Sequence, residues 1–174
     1  KVGGELSLTG DKSVSHRAVI FSAMASGKSL IKNISQGEDV KSTLKIVEQL
    51  GARVLNEDEQ IIIEGRGYKG FIKPGTKLDC GNSGTSARLV AGLLAAQNFN
   101  STLIGDESLF KRPMKRVIEP LKKMGVEFNS NENLTLPLTI IPGPEIISIK
   151  YEMPVASAQV KSSILIAGLH CDEV

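Results

Sequence analysis

The chain has 174 residues, 41% hydrophobic and 23% charged, with five Phe, two Tyr and no Trp. That length holds one domain or slightly more and can bury roughly 70% of its unfolded surface, and its aliphatic content excludes a disordered chain. A net charge of +2 is too small for a protein that coats nucleic acid, and the apolar stretch Leu89 to Ala96 falls far short of the ~20 residues that span a bilayer.

In chain order, a short strand is expected at Glu5 to Leu8, followed by a helix from the small polar run Asp11 to Ser15 through about Ala25. A strand at Ser29 to Ile34 leads to a helix capped by Asp39, whose apolar stripe is Val40, Leu44, Val47 and Leu50. Gly51 ends that helix as a C′ glycine. Ala52 to Leu55 and Gln60 to Glu64 then pair across the acidic turn Asn56 to Glu59. The same order returns from Lys77 to about Ile141, where Pro113 suits a helix first turn and Pro120 should kink that helix. Cys80 and Cys171 are too few to staple a chain of this size, so they read as free thiols in a reducing, cytoplasmic compartment.

The repetition is visible in the residues. Gly10-Asp11-Lys12-Ser13-Val14-Ser15-His16-Arg17 aligns with Gly81-Asn82-Ser83-Gly84-Thr85-Ser86-Ala87-Arg88, and Val40, Leu44, Val47, Leu50 and Gly51 align with Met114, Ile118, Leu121, Met124 and Gly125. A third start lies at Pro154-Val155-Ala156-Ser157-Ala158-Gln159-Val160-Lys161. The expected architecture is an α/β (α+β) domain of repeated βαβαββ units, at about 4–70, 71–144 and an incomplete 145–174. Residues 86–96 and 156–169 are apolar nearly all round, so the first helix of each unit is expected to be buried on every side, giving three buried helices in pseudo-threefold packing.

Three helix starts then meet at one end, carrying Lys12, Ser13, Gly84, Thr85, Ser157 and Gln159. Unpaired N–H groups and the positive ends of the dipoles make that end an anion site. Lys12 and Arg17 oppose the dipole, which an anionic ligand would justify, as would salt bridges to neighbouring carboxylates. Gly84 costs about 1 kcal/mol against Ala within a helix, and either close approach of a ligand or capping accounts for it. Other motifs carry less. Gly65-Arg66-Gly67-Tyr68-Lys69-Gly70 is followed by Phe71-Ile72-Lys73-Pro74-Gly75, which cannot open the helix a dinucleotide site needs. His16 and His170 have no metal-ligand spacing, and Lys115, Lys122 and Lys123 read as a solvated face.

Gly10 to Arg17, Asp79 to Arg88, Lys111-Arg112-Pro113-Met114 and Ala156 to Ser162 closely resemble the signatures of the 3-phosphoshikimate 1-carboxyvinyltransferase (EPSP synthase) family, in order and spacing, along essentially the whole chain. The resemblance is to the N-terminal portion, most of one of two domains, with the second domain of the same enzyme as the missing partner. It implies an inverse α/β barrel and transfer of the enolpyruvyl group of phosphoenolpyruvate to the 5-hydroxyl of shikimate 3-phosphate. It further implies no metal or organic cofactor, no nucleic-acid or membrane partner, and a monomer when complete. By the same resemblance Lys12 touches both small anionic substrates. Ser13 and Arg17 hold the shikimate carboxylate, and Ser157, Ala158 and Gln159 line the phosphate and ring. Asn82, Gly84, Thr85 and Arg112 line the phosphoenolpyruvate site, with Gln159 between the two ligands. Ala158 stands where some members carry a second serine. Gly84 matches the glycine of members sensitive to glyphosate, where a β-methyl is expected to intrude on the inhibitor. The acid/base residues belong to the second domain, so this chain alone is expected to be an inactive substrate-binding piece. The UDP-N-acetylglucosamine enolpyruvyl transferase is the alternative within the fold.

Overall fold

A computed structural model describes residues 3–5, 8–57 and 60–171. Helix α1 (Lys12–Met24) opens where the Asp11 carboxylate accepts the Val14 N–H at 2.7 Å. Strand β1 (Ser26–Lys32), helix α2 (Glu38–Gln49) and strands β2 (Arg53–Glu57) and β3 (Gln60–Arg66) follow. β3 is the centre of an antiparallel sheet of order β1-β3-β2. Its alternation turns Ile61 and Ile63 into the core.

The expected elements shift in specific ways. β1 lies earlier than foreseen because its register runs from Ser26 opposite Arg66 to Lys32 opposite Gln60, and Asn33, at φ +52°, turns the chain out of the sheet. The cap of α2 is Gly37, in extended backbone, while Asp39 is already helical and complements the dipole from the first turn. The stripe of α2 is centred on Val40, Thr43, Ile46 and Val47, with Leu44 only partly buried. Leu6 and Ser7 of the expected first strand, and Asp58 and Glu59 of the acidic turn, lie outside the described residues.

The second unit comprises strand β4 (Leu78–Asp79), helix α3 (Gly84–Ala95), strand β5 (Ser101–Ile104), the single turn α4 (Glu107–Phe110), helix α5 (Lys115–Lys123) and strands β6 (Glu127–Asn129) and β7 (Leu138–Ile141). Its sheet has order β4-β5-β7-β6, with β4 parallel to β5 and the other pairs antiparallel. The order β5-β7-β6 thus repeats β1-β3-β2. Both second helices end in the same device. Gly51 (φ +98°) and Gly125 (φ +92°) take the left-handed conformation, and the next N–H, of Ala52 or Val126, returns to Val47 or Leu121. Pro113 precedes the α5 cap, Met114, rather than sitting in its first turn. Pro120 is accommodated inside α5, which continues to Lys123.

Helix α6 (Ala158–Gly168) packs against α3. Gly92 permits the approach, because a Cβ there would lie 2.2 Å from the carbonyl oxygen of Ser163. The expectation of helices buried on every side holds for α3 alone. Leu89, Val90, Ala91, Leu93, Leu94 and Ala95 are all at most 2% exposed. α1 shows Val14 and Phe21 to solvent, and α6 shows Leu165 and Leu169. α3 is flanked by both of them and by α2 and α5, whereas α1 and α6 each keep apolar side chains open to solvent. Among the described residues, no helix is long and apolar enough to cross a membrane.

Candidate functional site

At the start of α1, Lys12 Nζ meets Asp39 Oδ2 at 2.8 Å, so the carboxylate partner left open by the sequence is the first turn of α2. The pair is largely exposed and adds little stability. Ser13 is exposed, and the half-buried Arg17 makes no hydrogen bond or ion pair among the described residues. Beneath them runs a buried chain. His16 Nδ1 and Thr43 Oγ1 are 2.7 Å apart, Thr43 Oγ1 and Ser86 Oγ are 2.7 Å apart, and Ser86 Oγ donates to the Asp39 carbonyl at 3.1 Å. Three helices are thereby joined under their first turns. Burial pushes His16 down to about 4, against a smaller opposing pull from Asp39, so the imidazole is neutral and structural.

The start of α3 is assembled differently. Ser83 Oγ caps the helix by accepting the Ser86 N–H at 3.0 Å. Arg88, one turn on from Gly84, folds back toward the helix start. Its Nη1 donates to Gln159 Oε1 at 2.9 Å and to the Gly84 carbonyl at 3.3 Å, and Nη2 donates to the Pro113 carbonyl at 3.3 Å. Gln159 Nε2 completes the link by donating to Thr85 Oγ1 at 2.9 Å. Arg112 donates from Nη2 to Asn82 Oδ1 at 2.6 Å, and Asn82 Nδ2 donates to Asp106 Oδ2 at 2.7 Å. The Leu109 N–H and then Asn82 hold the Asp106 carboxyl below its ordinary range. Arg88 is itself held below the usual guanidinium range, first by burial and then by repulsion from Arg112 and Arg116.

Structure and expectation can be compared residue by residue. Gly84, Thr85 and Gln159 come together at the helix starts, and Asn82 is bonded to Arg112, two residues that the resemblance had grouped. Lys12 reaches α3 only through Asp39, whose carbonyl accepts from Ser86. Ser157 serves as the cap of α6, accepting the Val160 N–H at 3.3 Å, and Ala158 is the first, exposed residue of that helix. Among the described residues no contact ties Ser13, Arg17 or Ser157 to one another. The space in front of Gly84 is taken by protein, since a Cβ there would lie 2.6 Å from Arg88 Nη1 and 3.5 Å from Arg112 Nη1. Sequence reasoning gave no role to Arg88, Arg116, Asp106, Thr43 or Ser86. Ser86 and Arg88 carried a signal, their alignment with Ser15 and Arg17 in the repeat.

The motifs of lesser weight have structural uses. Gly65 sits beneath the carbonyl oxygens of Ala25 and Ser22, at 2.2 and 2.3 Å from where a Cβ would be, so its glycine is a packing requirement. The His170 ring meets the Tyr68 ring edge-on at 5.1 Å. Cys80, between β4 and the turn to Asn82, is wholly buried, and burial pushes its thiol up to about 12. A thiol so shielded and so fully protonated is no nucleophile. No group of three or more His, Cys, Asp and Glu among the described residues is placed to hold a metal.

A family model described as EPSP synthase (3-phosphoshikimate 1-carboxyvinyltransferase) matches residues 1–174. A 3-phosphoshikimate 1-carboxyvinyltransferase of Syntrophomonas wolfei is 52% identical over 169 residues, covering 97% of this chain and 40% of that relative. One from Streptococcus pyogenes is 48% identical over 167 residues, covering 95% and 39%. The EPSP synthase structure from Acinetobacter baumannii has a TM-score of 0.92 at 43% identity and covers 96% of this chain and 38% of that one. The chain therefore spans about 40% of the length of the curated relatives it matches.

Proposed function

The chain belongs to the EPSP synthase family, and we propose from that membership that it forms the N-terminal part of an enzyme moving the enolpyruvyl group of phosphoenolpyruvate onto the 5-hydroxyl of shikimate 3-phosphate. The hydroxyl oxygen bonds to C2 of the enolpyruvyl group, the bond from that carbon to the phosphate oxygen breaks, and the hydroxyl proton leaves with phosphate. The observation that carries this reading is the excess of cations at the helix starts. Arg112 and Arg116 both repel Arg88 beside the N-terminus of α3, and Arg17 has no partner among the described residues. A doubly charged small anion discharges that repulsion.

In this reading Arg112, Asn82, Gly84, Thr85 and Gln159 face phosphoenolpyruvate, and Ser13, Arg17, Ser157 and Ala158 face shikimate 3-phosphate. Lys12 exchanges its exposed Asp39 partner for both substrates, an exchange of low cost because the ion pair is solvated. The units at about 4–70, 71–144 and 145–174 make up most of one domain. The acid and base groups come from the remainder of the full-length protein, which works in the cytoplasm without a cofactor.

Calorimetry on the full-length protein tests the assignment. Arg17→Ala should weaken shikimate 3-phosphate by about ten- to a hundredfold, the loss of one charged hydrogen-bonded contact. Arg112→Ala should do the same to phosphoenolpyruvate, titrated in the presence of shikimate 3-phosphate. Losses that do not separate between the two ligands would refute the assignment.

A further inference from the structure

We infer that Arg88 is the positioning residue of this site: its guanidinium occupies the space a side chain on Gly84 would take and, through Gln159, sets the first turn of α6 against the first turn of α3. The inference rests on the reading above that Gly84 and Gln159 face phosphoenolpyruvate. Its geometry is independent of that reading.

α3 and α6 come from different units and touch along a stripe of small residues, with Gly92 under the backbone of Ser163. At their N-terminal ends the side chain that joins them is Gln159, which accepts from Arg88 through Oε1 and donates to Thr85 through Nε2. Both ends of the amide are thus engaged, and rotation of the amide would set donor against donor. Arg88 can hold it only by lying across the helix start, and the Gly84 carbonyl and the Pro113 carbonyl accept two more of its protons. The planar fork reaches these three acceptors from two nitrogens, which a single ammonium does not. No carboxylate forms an ion pair with Arg88 among the described residues, and Arg112 and Arg116 push against it. Neutral acceptors and glycine's missing Cβ are what keep it in place.

A substitution at Gly84 is therefore felt first by Arg88. The guanidinium is the free end of a flexible side chain, so it moves aside rather than breaking the fold. In moving it gives up Gln159. The site is altered through Gln159 on α6, although the nearest neighbours of the new methyl are Arg88 and Arg112.

Steady-state kinetics and a crystal structure of the full-length protein decide this. At saturating shikimate 3-phosphate, Gly84→Ala and Arg88→Ala should each raise the KM for phosphoenolpyruvate about tenfold with kcat within about twofold, as loss of positioning rather than chemistry requires. The double variant should resemble Arg88→Ala alone, because the methyl has then nothing to displace. Arg88→Lys should not restore the wild-type KM. Multiplying effects, about a hundredfold in the double variant, would overturn the inference. So would a structure of Gly84→Ala with Arg88 still bonded to Gln159 Oε1, whatever the activity. Wild-type protein that never saturates with phosphoenolpyruvate would instead count against the proposed function, and the structure of Gly84→Ala still settles the displacement of Arg88.

Discussion

The two units share one strand order but not one environment for their first helices. α3 is enclosed, and its polar start is assembled in advance as two bonded sets, Arg88 with Gln159 and Thr85, and Arg112 with Asn82 and Asp106. α1 keeps an open face, and its cations are looser, Lys12 on a solvated carboxylate and Arg17 on nothing among the described residues. Topology decides where the helix starts lie. Enclosure ties the half-buried Arg88 and Gln159 to the protein, because a buried donor must find a partner, whereas the exposed Asn82 and Asp106 are held by their own hydrogen bonds rather than by burial.

The largest expected effect separating the units is a pH effect. His16 is buried in α1, and the aligned residue in α3 is Ala87. The unfolded chain takes up a proton on this imidazole below its ordinary 6.5, the folded chain only below about 4, so stability falls as the pH drops through that window. The loss by pH 4 is about 3 kcal/mol. Urea unfolding from pH 7 to pH 4 should show it, and His16→Gln should flatten that part of the profile. The carboxyls of Glu38, Glu64 and Asp106, held low by their partners, add slope only further down. An unchanged profile in His16→Gln would break the comparison.

The second test exchanges packing. Gly92 and Phe21 hold the same place in the repeat, one under a neighbouring backbone and the other half exposed. Gly92→Ala should cost about 2 kcal/mol, because α6 must move away. Phe21→Ala should cost about 0.5 kcal/mol. Thermal melts of the two variants in the reverse order would contradict the unequal enclosure.

The smallest effect concerns the loose pair. Asp39→Asn should change unfolding free energy by about 0.5 kcal/mol, as for other solvated ion pairs. Any change should shrink further in high salt. A loss several times larger would mean that the start of α1 is bound into the protein as firmly as that of α3.

Helix ends were legible in part because they are local, although Gly37 and not Asp39 caps α2 and Pro113 falls before the cap of α5. Asp11, Ser83 and Ser157 cap as their side chains allow, and Gly51 and Gly125 close helices because a left-handed residue is needed there. From those ends the gathering of Gly84, Thr85 and Gln159 could be anticipated. The limits of β1 could not, since its register is dictated by β3, a strand that begins only at Gln60. The turn α4, four residues capped by Asp106, is too short to show a period. Arg88 lay in plain view within the repeat, yet its meaning depends on Gln159, a residue of another unit, and on an absent Cβ. A pairing of that kind has no signature along the chain.

Cys80 offers a different use of the fold. Its thiol is wholly shielded and its N–H is bonded to the Ile104 carbonyl at 2.9 Å, in the turn that leads to Asn82. With the thiol pushed up to about 12, almost none is thiolate at neutral pH while the fold is closed. Alkylation of Cys80 is therefore a stopwatch for how often this turn comes apart, read in a variant carrying Cys171→Ser. If ligands brace Asn82, the same stopwatch slows when they are added, and the breathing of one loop becomes a measure of occupancy that needs no turnover.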